Sequence, residues 1–247
     1  MSFYYRSCEV PAVLIEPTHR RIRLKAGESI IADTTGAIAI YENGGHPVYY
    51  LPKSDFLAGV LSPSGKGETK ALLGEKQVFD LMGVGAAKAW SFDGNPIGHS
   101  ELADFVSVEW PAVRWFEEDE EIFRHPRNVY KRIDTIRSSR LVEVFLDGQL
   151  VARTNRAVFL FETGLIPRYY FPAEDVIAGR LIDSDLTTYC PYKGTASYFH
   201  FELAGVRHDD IVWSYPDPLD ESLKVRGLIS FYNEKVDGIN VSIEARS

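Results

Sequence analysis

The densest concentration of reactive side chains in the 247-residue sequence is Tyr189-Cys190-Pro191-Tyr192-Lys193-Gly194-Thr195-Ala196-Ser197-Tyr198. A thiol, an ammonium and three phenols fall within ten residues, beside a proline and a glycine that fix the backbone. Two chemistries suit such a set. A cysteine whose thiol pKa is lowered by a neighbouring cation is a nucleophile; Lys193 is the cation at hand and His200 the nearest histidine in sequence. A lysine flanked by aromatic rings is an anion-binding charge. The competing readings are a small buried hydrophobe for Cys190 and a solvated loop lysine for Lys193.

Other motifs fall short. Gly65-Lys66-Gly67-Glu68-Thr69 lacks the four-residue gap of a phosphate-binding loop. The six histidines form no His-x-x-x-His pair, so no zinc site is expected. No Gly-x-Ser-x-Gly elbow occurs. Asp183-Ser184-Asp185 offers two carboxylates to a cation, with nothing specific around them. The sequence therefore assigns no metal and leaves any cofactor unknown.

What positions the reactive segment is a repeated scaffold. Shifted by 120 residues, 30–61 falls on 150–181 without a gap, and 13 of 32 positions are identical, among them Glu42/Glu162, Tyr50/Tyr170 and Asp55/Asp175. Trp90-Ser91-Phe92 recurs as Trp213-Ser214-Tyr215, and Val113-Arg114-Trp115-Phe116 matches Ile229-Ser230-Phe231-Tyr232. This is the signature of a tandem duplication. In the earlier copy the reactive segment is Thr69–Val78, which keeps Gly74 opposite Gly194 and little else that is polar and reactive. Arg168 is likewise Val48, and the Tyr215 hydroxyl is missing from Phe92. The repeated Glu162, Pro167, Tyr169, Tyr170, Pro172 and Asp175 are assigned a structural duty.

The expected organisation is a first, diverged domain over 1–123, a basic linker over 124–140 and a second domain over 141–247 that carries the Cys-Pro-Tyr-Lys-Gly run. Both domains read as β-rich. Val142–Leu146, Asp147-Gly148 and Gln149–Ala152 form a hairpin signal, and Ser197–Leu203 with Val206–Trp213 form another around Ala204-Gly205. No segment sustains a 3.6-residue apolar period for three turns, so helix is limited to short pieces such as Ala173–Ala178. Each half buries only a modest core, and an internal pseudo-dimer is expected.

Composition narrows the function classes. The chain is 45% hydrophobic and 25% charged, which is globular. Its formal charge of −8 argues against nucleic acid and anionic membrane as partners. No apolar run approaches a membrane span, and the start Met1-Ser2-Phe3-Tyr4-Tyr5-Arg6 lacks a signal-peptide pattern. Two cysteines, Cys8 and Cys190, exclude a disulfide framework. A cytoplasmic protein is expected, its oligomeric state open.

The runs His125-Pro126-Arg127-Asn128-Val129-Tyr130-Lys131-Arg132, Glu162-Thr163-Gly164, Pro167-Arg168-Tyr169-Tyr170 and Cys190-Pro191-Tyr192-Lys193-Gly194-Thr195-Ala196-Ser197-Tyr198 resemble the domain-of-unknown-function family 427. So do Trp213-Ser214-Tyr215-Pro216-Asp217-Pro218 and Phe231-Tyr232-Asn233-Glu234-Lys235-Val236-Asp237. The resemblance covers 125–243, and the first half looks like a diverged copy. It implies a small, mostly antiparallel β domain of the β-tent type with few helices. The zinc-binding cysteine pairs of that architecture are absent from this chain. The family is sometimes labelled nucleotidyltransferase-like and has no established activity. The clustered carboxylates and phosphate-cradling loop that such transfer needs are missing here.

The leading functional expectation is a small polar or anionic ligand bound in the second domain by Lys193, Arg168, Tyr170, Tyr192, Tyr198 and Tyr215, with Trp213 beside them. Cys190 is the candidate catalytic residue. On this reading Lys193→Ala abolishes binding and leaves the thermal midpoint nearly unchanged. The alternatives are a non-catalytic interaction module and a thiol-dependent enzyme built on Cys190, so enzyme status stays open.

Overall fold

A computed structural model describes residues 12–242; Cys8 and the segment Met1–Arg6 lie outside them. Contacts divide the chain into two compact units, the first ending at Asn128 and the second beginning at Val129.

The first unit runs through β1 (Val13–Pro17), β2 (Ile22–Ala26), β3 (Ser29–Thr34), β4 (Ile38–Glu42), β5 (Val48–Pro52), β6 (Leu61–Lys66), β7 (Lys76–Leu81), β8 (Gly85–Phe92), β9 (Phe105–Val108), β10 (Arg114–Glu117) and β11 (Glu120–Ile122). Seven strands pair in the order β1-β4-β5-β9-β8-β7-β6, and a second sheet in the order β11-β10-β2-β3. Every pairing is antiparallel.

The second unit repeats that path with β12 (Ile133–Arg137), β13 (Leu141–Leu146), β14 (Gln149–Thr154), β15 (Val158–Glu162), β16 (Arg168–Tyr170), β17 (Arg180–Cys190), β18 (Gly194–Leu203), β19 (Val206–Ser214), β20 (Ile229–Phe231) and β21 (Gly238–Ser242). Its counterpart of the long sheet is two pieces, β12-β15-β16 and β17-β18-β19-β20, joined by the bridge Phe171↔Ile229. The small sheet recurs as β14-β13-β21. The chain is thus mainly β, two tandem antiparallel domains related by duplication. Helix among the described residues is limited to 3-10 turns, the longest being Asp220–Val225.

The local reasons are visible in the backbone. Asp147 and Gly148 both have positive φ (50° and 72°), as a type I′ turn requires, and Asp237 Oδ2 accepts the Gly148 N–H at 2.7 Å. Ala204 and Gly205 repeat the geometry between β18 and β19.

Two expectations are corrected. Of the stretch 124–140 read as linker, Ile133–Arg137 is β12, paired with β15 from Ile133↔Glu162 to Arg137↔Val158. Its alternation was too brief to stand out beside the basic residues that precede it. The expected match of Val113–Phe116 to Ile229–Tyr232 is out of register. Trp213 pairs with Ser230 and Trp90 with Ser107, so Ile229–Tyr232 corresponds to 106–109, and β21 is the counterpart of β10. Aromatic tetrapeptides recur easily by chance; ladder partners do not. The eleven-residue β17 was also unforeseen, because its polar residues and a register shift between Asp183 and Thr187 blur the two-residue period.

Each unit holds two apolar clusters. The larger ones centre on Leu24, Leu51 and Trp115 in the first unit and on Val144, Phe201 and Phe231 in the second. The smaller ones share three equivalent positions, Ile40/Leu160, Tyr50/Tyr170 and Phe92/Tyr215; the first adds Leu73 and Leu102, and the second adds Val158, Ala196, Tyr198, Trp213 and Val225.

Candidate functional site

The smaller cluster of the second unit surrounds a cavity of about 170 Å³. The two-residue period of the strands explains what faces it. On β15 the alternate residues Leu160 and Glu162 line it, on β16 Arg168 and Tyr170, and Trp213 with Tyr215 at the end of β19. Tyr198, directly opposite Trp213 in the β18–β19 ladder, completes that wall.

Lys193 enters from the turn between β17 and β18, and its backbone is held on both sides. Its N–H donates to Cys190 O at 3.2 Å, and its carbonyl accepts from Leu219 N at 3.1 Å. Gly194 follows at φ +92°, and a Cβ there would meet Asp217 O at 3.2 Å. Glycine is therefore required to aim Lys193. Its Nζ lies 2.5 Å from Glu162 Oε2, while Lys131 Nζ is 3.8 Å from Glu162 Oε1. The Lys193 and Glu162 side chains are 12% and 6% exposed, so this pair is largely desolvated.

Arg168 is held by a fork of charge-assisted bonds. Nη1 and Nη2 each reach a Glu234 oxygen at 2.8 Å, and Nη1 also donates to Asn233 Oδ1 at 3.0 Å. The guanidinium carbon lies 5.5 Å from the Trp213 ring centroid and 5.7 Å from that of Tyr232. The bond to Arg168 holds the Glu234 carboxyl below its ordinary range.

The phenols differ in what they have left to offer. Tyr198 shares hydrogen bonds with Thr188 Oγ1 at 3.0 Å and the Tyr232 hydroxyl at 3.2 Å. The Tyr170 hydroxyl accepts Trp213 Nε1–H at 2.9 Å, which leaves its own proton without an acceptor among the described residues. Tyr215 is 6% exposed and lines the cavity. Burial raises the pKa of Tyr170, Tyr215 and Tyr232 above the ordinary 10.0, so all three are neutral donors at physiological pH.

Six expected residues converge on the cavity: Lys193, Arg168, Tyr170, Tyr198, Trp213 and Tyr215. Two do not line it. Tyr192 is buried away from it, because neighbours in the tight turn point to different sides. Cys190, a half-buried free thiol, is not part of the lining. Its proposed activators are elsewhere. The Lys193 ammonium is directed at Glu162, and His200 pairs with Ile182, eight residues back along β17, where Arg207 and Asp210 occupy its ring.

Glu162 and Tyr232 line the cavity without having been expected there. The duplication of Glu162 as Glu42 points to a structural duty in the sequence. The available signal was its spacing from Leu160, which puts both on one face of the strand.

Four equivalent positions of the first unit carry apolar side chains. Leu73, 0% exposed, stands for Lys193, and Phe92, 1% exposed, for Tyr215. Val78 replaces Tyr198 and Val48 replaces Arg168. The framework bond is nonetheless kept: Trp90 Nε1 donates to the Tyr50 hydroxyl at 3.1 Å, as Trp213 does to Tyr170.

Among the described residues no helix is long and apolar enough to cross a membrane. The sequence profile of a family described as a domain of unknown function (DUF427) matches the chain twice, over residues 14–119 and 134–242. No curated protein matches the chain.

Proposed function

The chain belongs to the domain-of-unknown-function family 427, which it carries twice in tandem, and we propose that its second copy binds a small polar or anionic molecule. The observation that carries this reading is the contrast at two equivalent positions. The first unit fills its smaller cluster with Leu73 and Phe92, each side chain contributing about 2 kcal/mol by burial. The second spends the same positions on a lysine and on a phenol, both lining the cavity. Both choices give up apolar burial that the first unit keeps. Departures from the stabilising choice concentrate where a protein works.

Apolar walls with a few convergent polar groups suit a ligand site. Neutral phenols at physiological pH make donors rather than bases, so the reading is of binding, and Cys190 is not needed as a nucleophile. A cytoplasmic setting fits two cysteines in 247 residues and a charge of −8.

Native mass spectrometry of freshly purified protein tests the proposal, with Tyr215→Phe alongside. The wild type is expected to carry an additional small mass that is lost on denaturation, and the variant to lack it. No additional mass, or the same mass on both proteins, overturns the reading.

A further inference from the structure

Resting on that reading of the pocket, we infer that the ligand is a small monocarboxylate: one negative charge on a short apolar body. Size comes first. A dry cavity of roughly 150 Å³ is enough for benzene, so about 170 Å³ admits a ligand of comparable bulk.

Charge comes next. Around Glu162 two ammonium groups, Lys193 and Lys131, share one carboxylate. Arg168 is balanced by Glu234. The ionised groups that line the cavity, with their direct ion-pair partners, thus sum to one surplus positive charge. A phosphate dianion would leave a negative charge uncompensated beside the largely buried Lys193–Glu162 pair, a neutral ligand would leave the positive one, and a cation would double it. Only a monoanion closes the sum.

Donors and walls settle the class. Tyr215 lines the cavity, the proton of Tyr170 is free, and Lys193 has protons beyond the one directed at Glu162. A carboxylate offers two oxygens with about four lone-pair positions for such donors. Leu160, Leu165, Ile166 and the Trp213 ring supply the rest of the lining, which suits a short hydrocarbon chain or a single ring.

The test is isothermal titration of the full chain with butyrate and benzoate, their neutral amides, inorganic phosphate and butylammonium, repeated on Tyr215→Phe. The variant is expected to fold, since the first unit carries Phe92 at this position. At least one acid is expected to bind about tenfold or more tighter than its amide, and to lose about tenfold or more in the variant. Equal binding of the amide, or tighter binding of phosphate or butylammonium, overturns the monocarboxylate and leaves the pocket standing. An acid that binds both proteins equally overturns it too, because it is held elsewhere. Binding of none of the probes overturns it as well; the fate of the pocket is then read separately, from whether a mass co-purifies with the wild type and not with the variant.

Discussion

Lys193 meets Glu162 at 2.5 Å through side chains that are 12% and 6% exposed, whereas Glu42, the equivalent carboxylate, is met by Lys70 at 2.6 Å through side chains that are 47% and 37% exposed. Lys70 stands three residues before Leu73, the positional counterpart of Lys193. The carboxylate has stayed in place in both units. The lysine reaches it over the surface in one and through the interior in the other.

The two ion pairs should answer differently to loss of the lysine. Lys70→Ala is expected to change stability by less than about 1 kcal/mol, as for exposed pairs. Lys193→Ala strands a buried carboxylate and is expected to cost about 3 kcal/mol, at the lower end of such losses because Lys131 still lies 3.8 Å from Glu162. Denaturant unfolding of both variants checks this, and equal midpoints would refute it. The sequence-based expectation that Lys193→Ala leaves the midpoint unchanged gives way here. Binding by that variant is therefore to be judged only where it remains folded.

Tyr215→Phe separates function from stability more cleanly. It removes a hydroxyl from a residue that lines the cavity and installs the residue of the equivalent Phe92. Stability is expected to hold or to rise by up to about 1 kcal/mol, while ligand retention is lost. A marked fall in the thermal midpoint would mean that the hydroxyl is structural.

The duplicated indole–phenol bond gives an internal control. Tyr50→Phe and Tyr170→Phe each leave an indole N–H without its acceptor and are expected to cost about 1–2 kcal/mol apiece. Only Tyr170→Phe should also weaken binding. Loss of binding in the Tyr50→Phe variant at a temperature where it is fully folded would contradict the assignment of the site to the second unit.

Alkaline pH should destabilise the fold through its buried phenols. Burial raises the pKa of Tyr49, Tyr50, Tyr170, Tyr215 and Tyr232 above the ordinary 10.0. Below pH 10 both folded and unfolded chains keep these protons, so the stabilisation is fully present. Above it the unfolded chain releases protons that the folded one retains, and stability falls as pH rises towards the folded pKa values. Phenolate absorbance followed against pH should show a group of tyrosines ionising only as the chain unfolds. Smooth titration of every tyrosine near its ordinary value in folded protein would contradict the burial described.

Much of the fold and most of the cavity lining were legible because duplication wrote the scaffold twice and left these polar side chains in one copy. Gly74 and Gly194, both at φ +92°, mark the same turn in both units, and of the residues that differ around it Lys193 and Tyr198 line the cavity. What escaped was whatever the repeat masked or short matches confused. Glu162 is framework by identity and part of the cavity wall by its place beside Lys193, a distinction that only the approach of Lys193 reveals. Tyr192 and Cys190 are close to Lys193 in sequence, yet sequence distance carries no direction in a tight turn. The match of Ile229–Tyr232 failed because four-residue aromatic patterns do not encode ladder partners.

The most direct measurement is a high-resolution crystal structure of freshly purified protein. A compact group larger than water, within hydrogen-bond reach of the Tyr215 hydroxyl and beside Lys193, is the expected result. A cavity holding ordered waters alone would contradict the claim that the second unit keeps its polar residues for a ligand.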